Sequence, residues 1–314
     1  MIRAFKVADR RFVEMTSDSP ADLDAALWID LHKPTPDETA AIVQRFGAVL
    51  AENTSAGEIE ATSRYLEAED AIQLQLNFLD HTAHPLQNIN AAFALRGGPL
   101  LSLHEHELIA VDLFRDRAER QPRLAEDGMS VFIGILESKV DHLADVLERT
   151  YGQLDQLSRR VLDHVEADLK SDLVALAGVE GRNGKIRLNL MDTQQVLTSF
   201  HRSDKLPAEI RDRLSNVLRD VDSLLSHTAF LLEQISFLSG TIIGLINIEQ
   251  NQIVKVLSVV AAVFLPPTLI ASLYGMNFRF MPELSWRLGY PLAIVLMVIL
   301  GVAPYLYAKR RGWM

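Results

Sequence analysis

Tyr274-Gly275-Met276-Asn277-Phe278 lies between two long apolar runs, and those runs decide the fold. Residues 256–274 are 19 positions without a charge, and residues 288–308 are 21 more. About 20 apolar residues let a helix cross a bilayer, so each run is long enough to span. Only 13 residues, 275–287, join them. The pair therefore reads as a tight transmembrane hairpin: 251–274 as the first membrane helix, 275–287 as the loop, 288–308 as the second membrane helix and 309–314 as a basic tail.

Upstream of the hairpin the chain is polar and strongly acidic. It holds 31 basic and 41 acidic side chains, net −10. Six of the basic residues and one acidic residue, Glu283, lie from Gln252 onward, which leaves 25 basic against 40 acidic in 1–251, or −15. Such a body lacks the basic footprint that nucleic acid requires, so nucleic acid is excluded as a partner. It suits the handling of cations. The absence of cysteine removes a disulfide framework and a thiolate metal site. Met1-Ile2-Arg3-Ala4-Phe5 lacks the basic-then-apolar pattern of a signal peptide. Lys309-Arg310-Arg311 directly follows the second run, and the positive-inside rule puts that end in the cytoplasm. Two crossings return the chain to its starting side. The N-terminal body is therefore expected in the cytoplasm too, with 275–287 facing outside.

Residues 1–125 read as a cytoplasmic α/β domain. Ala26-Leu27-Trp28-Ile29-Asp30-Leu31 is a strand candidate, and residues 36–46 begin with Pro36 and two acids, as helix starts prefer. Residues 72–78 alternate apolar and polar, the pattern of a half-buried strand. Residues 91–95 and 100–103 flank Arg96-Gly97-Gly98-Pro99 and predict a hairpin. The expected sheet is small and antiparallel. From Ser130 the period becomes helical, and 126–250 reads as a cytoplasmic helical stalk. One helix carries Val140, Leu143, Leu147, Tyr151 and Leu154; a second covers about 168–201. A third starts after Pro207, and no proline interrupts it until Pro266. Unbroken over 208–274, its 67 residues would reach roughly 100 Å at 1.5 Å each. A stripe that long needs neighbours, most simply copies of itself.

Two spans cannot enclose an aqueous path, so transport would require a symmetric oligomer. Stepping 3-4-3-4 from Asn251 gives Val254, Ser258, Ala261, Leu265, Thr268, Ser272 and Gly275, a narrow and partly polar seam with large apolar residues off it. In a ring of helices this seam could line a conduit, with Val254 and Leu265 as dry constrictions. The same small residues would equally serve close helix packing. Pro266-Pro267 predicts a mid-span kink, and the carbonyls it frees near Ala262 and Val263 would face a pore or be covered by neighbours. Asn277 is either a turn residue or, repeated around an axis, a ring of neutral amide oxygens. Magnesium gives up its water reluctantly, so such a ring would recognise the hydrated ion. Gly275 would let the backbone turn tightly at the helix end.

These residues carry a specific resemblance. Tyr274-Gly275-Met276-Asn277, followed by Met281-Pro282-Glu283-Leu284 and Trp286, resembles the CorA family of magnesium/cobalt transport proteins. The likeness continues through Gly289-Tyr290-Pro291, Ala303-Pro304-Tyr305-Leu306-Tyr307 and the Lys309-Arg310-Arg311 tail to Trp313. Upstream, Asn247-Ile248-Glu249-Gln250-Asn251 and Val263-Phe264-Leu265-Pro266-Pro267-Thr268 resemble the proteobacterial branch. The resemblance implies an α+β cytoplasmic domain, long stalk helices and a two-helix transmembrane hairpin, assembled as a homopentameric funnel-shaped channel in the cell inner membrane with both termini cytoplasmic. It implies Mg²⁺ as the transported ion, with Co²⁺ and Ni²⁺ as secondary ions and membrane potential as the driving force. It implies a selectivity filter of Gly275, Met276 and Asn277. Pore-lining positions would be Asn251, Val254, Leu257, Ala261, Leu265, Thr268 and Ser272, and Leu257 here replaces the Ser258 of the heptad seam. Glu283 belongs to the external loop. Asp80 and Asp220 are the counterparts of a regulatory cation site between protomers, where intracellular Mg²⁺ would hold the pore closed. The chain departs from the family pattern at Arg279, where a glutamate is common, so the loop would be net +1.

No Ser/His/Asp or paired-carboxylate arrangement marks an enzyme, and no cofactor is expected beyond Mg²⁺ as cargo and regulator. His104-Glu105-His106-Glu107 would place two histidines on one strand face, as a transition-metal site or an exposed strand end. Gly181-Arg182-Asn183-Gly184-Lys185 lacks the spacing of a phosphate loop and falls in a helical stretch. Two readings compete with Mg²⁺ transport: a zinc transporter of the ZntB type and a membrane-anchored oligomeric scaffold without flux.

Overall fold

The computed structural model describes residues 1–8, 11–15, 23, 25–46, 64–68, 71–80, 86–163, 168–277, 281–282 and 286–312. The chain divides into two compact units, Met1–Leu238 and Ser239–Met314.

The first unit is built on a seven-stranded sheet. Its strands are β1 (Ile2–Ala8), β2 (Arg11–Met15), β3 (Trp28–His32), β4 (Tyr65–Glu67), β5 (Ile72–Asp80), β6 (Gln87–Leu95) and β7 (Leu100–His104). Their order across the sheet is β2-β1-β3-β7-β6-β5-β4. The wholly antiparallel sheet expected from sequence is corrected at one seam: β3 and β7 run parallel, Trp28 opposite Leu100 through His32 opposite His104. The long connection between those two strands holds α1 (Pro36–Phe46) and the β4-β5-β6 segment, enough chain for a parallel crossover. The β6–β7 hairpin forms with Leu95 opposite Leu100. Gly97 in its turn has φ +52, which a side chain would resist.

Helices cover both faces of this sheet, so β3 is buried at Trp28, Ile29, Asp30 and Leu31 in succession. On one face Trp28 stacks on Phe5 at 4.7 Å and meets Phe114 of α2 (Ile109–Arg120) edge-on at 6.0 Å. The aromatic line continues from Phe93 to Phe132 of α3 (Gly128–Asp163) and on to Phe200 of α4 (Leu169–His201). On the other face Ile29, Leu31, Ala94 and Leu101 pack with Ile42 of α1. Asp168 caps α4, accepting a hydrogen bond from the Ser171 N–H.

Helix α5 (Ala208–Tyr274) is continuous through Pro266 and Pro267. It begins in the first unit, where Leu214, Val217, Val221, Leu231, Ile235 and Leu238 are buried, and it passes into the second. There it is followed by α6 (Gly289–Arg310).

Candidate functional site

The second unit is the apolar hairpin. Both its helices are long and apolar enough to cross a membrane, and only 6% and 11% of their most apolar windows are buried within the chain. What is buried falls on one side of each helix. On α5 it is Val259 and Ile270, with Val263, Pro266 and Pro267 half-buried between them. On α6 it is Gly289, Ala293 and Ala308, with Met297, Gly301 and Pro304 half-buried. Steps of three and four residues are what a helix presents to one neighbour. Gly301 lies in this contact: a Cβ there would lie 3.4 Å from Pro267 Cγ and 3.5 Å from the Val263 carbonyl oxygen.

The seam lies elsewhere. Asn251, Val254, Leu257, Ala261, Leu265, Thr268 and Ser272 are all exposed in the single chain, as is Ser258. At about 100° per residue, Val259, Val263, Pro266 and Ile270 share roughly 60° of arc, and the seam is centred roughly 150° away. Its small residues therefore do not serve packing within the hairpin. Hydroxyls on this side bond back to their own helix: Ser258 Oγ donates to the Val254 carbonyl at 2.8 Å and Thr268 Oγ1 to the Phe264 carbonyl at 2.7 Å. With its proton so occupied, each hydroxyl offers only lone pairs outward. The waters around a cation point their hydrogens away from it, so acceptors are what a hydrated ion would meet.

At the end of α5 the Gly275 N–H bonds the Ala271 carbonyl at 2.9 Å. A Cβ at Gly275 would come within 3.1 Å of that same oxygen, a tight contact at the helix end. Met276 and Asn277 follow, both exposed. Asn277 does not adopt the left-handed conformation typical of a turn asparagine, since Lys33 is the one non-glycine residue with positive φ among those described. Glu283, like Arg279, Phe278 and Leu284, lies outside the described residues, as does Trp313.

The two regulatory candidates stand on different elements of the first unit. Asp80 ends β5, nearly buried, with its carboxylate 4.0 Å from His106 Nδ1. Asp220 is exposed on α5. Among the described residues no cluster of three or more His, Asp or Glu is arranged to hold a metal within one chain.

His104 and His106 do not share a strand face, a correction to the alternation expected there. Strand β7 ends at His104, and the chain turns before His106. His104 is buried, its Nε2 2.9 Å from Asp30 Oδ1 and its Nδ1 2.6 Å from the His106 carbonyl. Both partners only accept, so both ring nitrogens carry protons and His104 is an imidazolium. Burial lowers its pKa, but the hydrogen bond and charge of Asp30 outweigh that and raise it. Ser102 Oγ also donates to Asp30 Oδ1, at 2.5 Å, and receives the Trp28 indole N–H at 2.8 Å. The His32 ring stacks on His104 at 5.1 Å, and burial followed by the His104 charge lowers the His32 pKa. Sequence reading missed this buried pair. Its signal was the parallel placement of Asp30 and His32 with Ser102 and His104, two residues apart on each strand. Gly181-Arg182-Asn183-Gly184-Lys185 lies inside α4 and forms no phosphate loop.

This architecture recurs in known proteins. Residues 24–310 match the family described as CorA-like Mg2+ transporter protein. The magnesium transport protein CorA of Pectobacterium atrosepticum is 41% identical over 320 residues, covering all of both chains. That of Escherichia coli K12 is 40% identical over 316 residues, again across the full length of both. Among solved structures, the complete CorA magnesium transporter of Methanocaldococcus jannaschii superposes with a TM-score of 0.81, over 100% of this chain and 99% of that one, at 19% identity. It shares the fold: an α/β soluble part, long helices and two apolar C-terminal helices. The chain belongs to the CorA-like Mg2+ transporter family.

Proposed function

We propose that this chain is a Mg²⁺ channel of the cell inner membrane. Five copies surround one path, both termini are cytoplasmic, and Co²⁺ and Ni²⁺ are secondary ions. The observation that carries this reading is the free seam. The face of α5 that holds Asn251, Val254, Leu257, Ala261, Leu265, Thr268 and Ser272 is turned away from α6 and left uncovered within the chain. Copies placed around an axis would bring these faces together. Leu257 and Leu265 would then narrow the path, Thr268 would offer its lone pairs to the ion's water, and Gly275, Met276 and Asn277 would form the outer ring. Names of full-length relatives at 40–41% identity support Mg²⁺ as the cargo, ahead of the zinc-transporter alternative. No reacting group is needed: the work is recognition and passage of a hydrated ion, with Mg²⁺ as substrate.

In this reading Asp80 and Asp220 from neighbouring copies share cytoplasmic Mg²⁺ and hold the pore closed, and Glu283 belongs to the outer loop. When Mg²⁺ falls, the acidic faces repel and the path opens.

Flux tests the reading. Purified protein in liposomes loaded with a Mg²⁺-sensitive dye is expected to pass Mg²⁺. Asn277→Ala is expected to cut that flux at least about tenfold, equivalent to about 1.4 kcal/mol. A pentameric wild type that passes no Mg²⁺ would favour the scaffold reading instead. Neutralising Asp80 and Asp220 together is expected to weaken inhibition by Mg²⁺ on the cytoplasmic side; unchanged inhibition would remove them as the sensor.

A further inference from the structure

Proline at 266 and 267 removes the two N–H groups that would otherwise bond the carbonyls of Ala262 and Val263. In hydrocarbon no water replaces them, so such carbonyls must be met by protein. The Val263 oxygen faces α6 at Gly301, where an added Cβ would stand 3.5 Å from it and 3.4 Å from Pro267 Cγ. A methyl group would still fit there in ordinary contact, but any larger side chain would have to displace Pro267 or α6. Around this point the two helices fit through small or half-buried residues, Ala293, Met297, Pro304 and Ala308 against Val259, Val263 and Ile270.

We propose that Gly301 is the positioning residue of the pore-lining helix. Through Pro267 and the Val263 carbonyl it fixes the course of α5 across the proline pair, and so sets the path width at Leu265 and Thr268. Those two residues lie within two positions of Pro266 or Pro267, on the opposite face of the same helix. The second span is then a splint for the first rather than a mere anchor. This inference rests on the reading that the seam lines an ion path.

The test is a size series at 301 in full-length protein in liposomes, crossed with Pro267→Ala. An alanine Cβ would sit at ordinary contact distance, so Gly301→Ala is expected to lose less than about threefold in Mg²⁺ flux. Gly301→Leu must displace Pro267 or α6, and is expected to lose about tenfold and to change the ratio of Mg²⁺ to Co²⁺ flux with the oligomer intact. Pro267→Ala removes the ring and restores the N–H to Val263. In that background Gly301→Leu is expected to cost about threefold or less, because contacting residues are not additive. If Gly301→Leu fails to assemble, its assembly in the Pro267→Ala background supports the proposal, and failure in both overturns it. A conducting wild type with an equally conducting Gly301→Leu, or losses that simply multiply, also overturns it. A silent wild type overturns the transport reading and this inference with it.

Discussion

A carboxylate and an imidazolium buried together, as Asp30 and His104 are, give the first unit a pH dependence of definite sign. Their side chains are only 5% and 4% exposed. The folded pKa of His104 is raised above its ordinary 6.5, so its contribution is fully present below that value and is lost as pH rises through the higher folded one. The folded pKa of His32 is lowered, so its contribution is lost as pH falls from 6.5 through the lower folded value. Thermal unfolding of the detergent-solubilised protein across pH is therefore expected to show two limbs. His104→Gln should flatten the alkaline limb and His32→Gln the acid one. Asp30→Asn leaves His104 able to escape by deprotonating, so its cost near neutral pH should sit at the low end of the about 3–5 kcal/mol typical of a broken buried pair. A stability unmoved by Asp30→Asn would show that the pair is not charged.

Whole elements were legible in the sequence where a local signal existed. The proline-and-acid start marked α1 at Pro36–Phe46, and a helical period with no proline from Ala208 until Pro266 marked most of α5. Strand β5 was readable because Ile72, Leu74 and Leu76 alternate with half-buried Gln73 and Gln75. Strand β3 was read as a strand over residues 26–31, but, covered on both faces, it has no alternation that would name its neighbours, and its parallel pairing with β7 joins residues some 70 positions apart. In the hairpin every side is apolar, so hydrophobicity cannot say which one packs; only the small residues Ala293, Gly301 and Ala308 mark it. The buried Lys139 of α3 was equally silent, as it breaks the apolar stripe without warning. Its Nζ donates to Thr193 Oγ1 on α4 at 2.5 Å and lies 4.8 Å over the Phe78 ring. Burial, with Arg64 adding to it, pushes its pKa well below the lysine range. A depressed base makes folding release a proton, so stability is lost as pH falls below the ordinary lysine value. Lys139→Met keeps the shape and removes that cost. It is expected to raise stability at neutral pH by about 1 kcal/mol or more and to flatten the alkaline pH dependence in the same unfolding assay. A lower melting temperature for Lys139→Met would show that the Thr193 and Phe78 contacts matter more than desolvation.

For the molecule as a whole, the charge distribution sets the orientation and the membrane potential sets the direction of flow. The stretch 1–251 carries −15 and the remainder +5, with three of its basic residues at 309–311. The three basic residues argue for a cytoplasmic tail, and the inside-negative potential by itself draws a divalent cation inward. At about 2.3 kcal/mol per charge per 100 mV, that is roughly 4.6 kcal/mol for Mg²⁺. The reverse orientation would leave that direction unchanged and would place the large unit, with Asp80 and Asp220, outside. The chain has no cysteine, so single-cysteine variants report sidedness without background. Trp286→Cys, exposed in the short connection, is expected to react with an impermeant maleimide added to intact spheroplasts. Glu119→Cys, exposed on α2, is expected to react only after the membrane is opened. In oriented vesicles, a K⁺ diffusion potential of about 100 mV, negative on the side of the large unit, should accelerate Mg²⁺ entry. Collapsing it should slow entry toward the rate set by concentration alone. Labelling of both cysteines from outside would overturn the orientation, and entry indifferent to the potential would overturn the driving force.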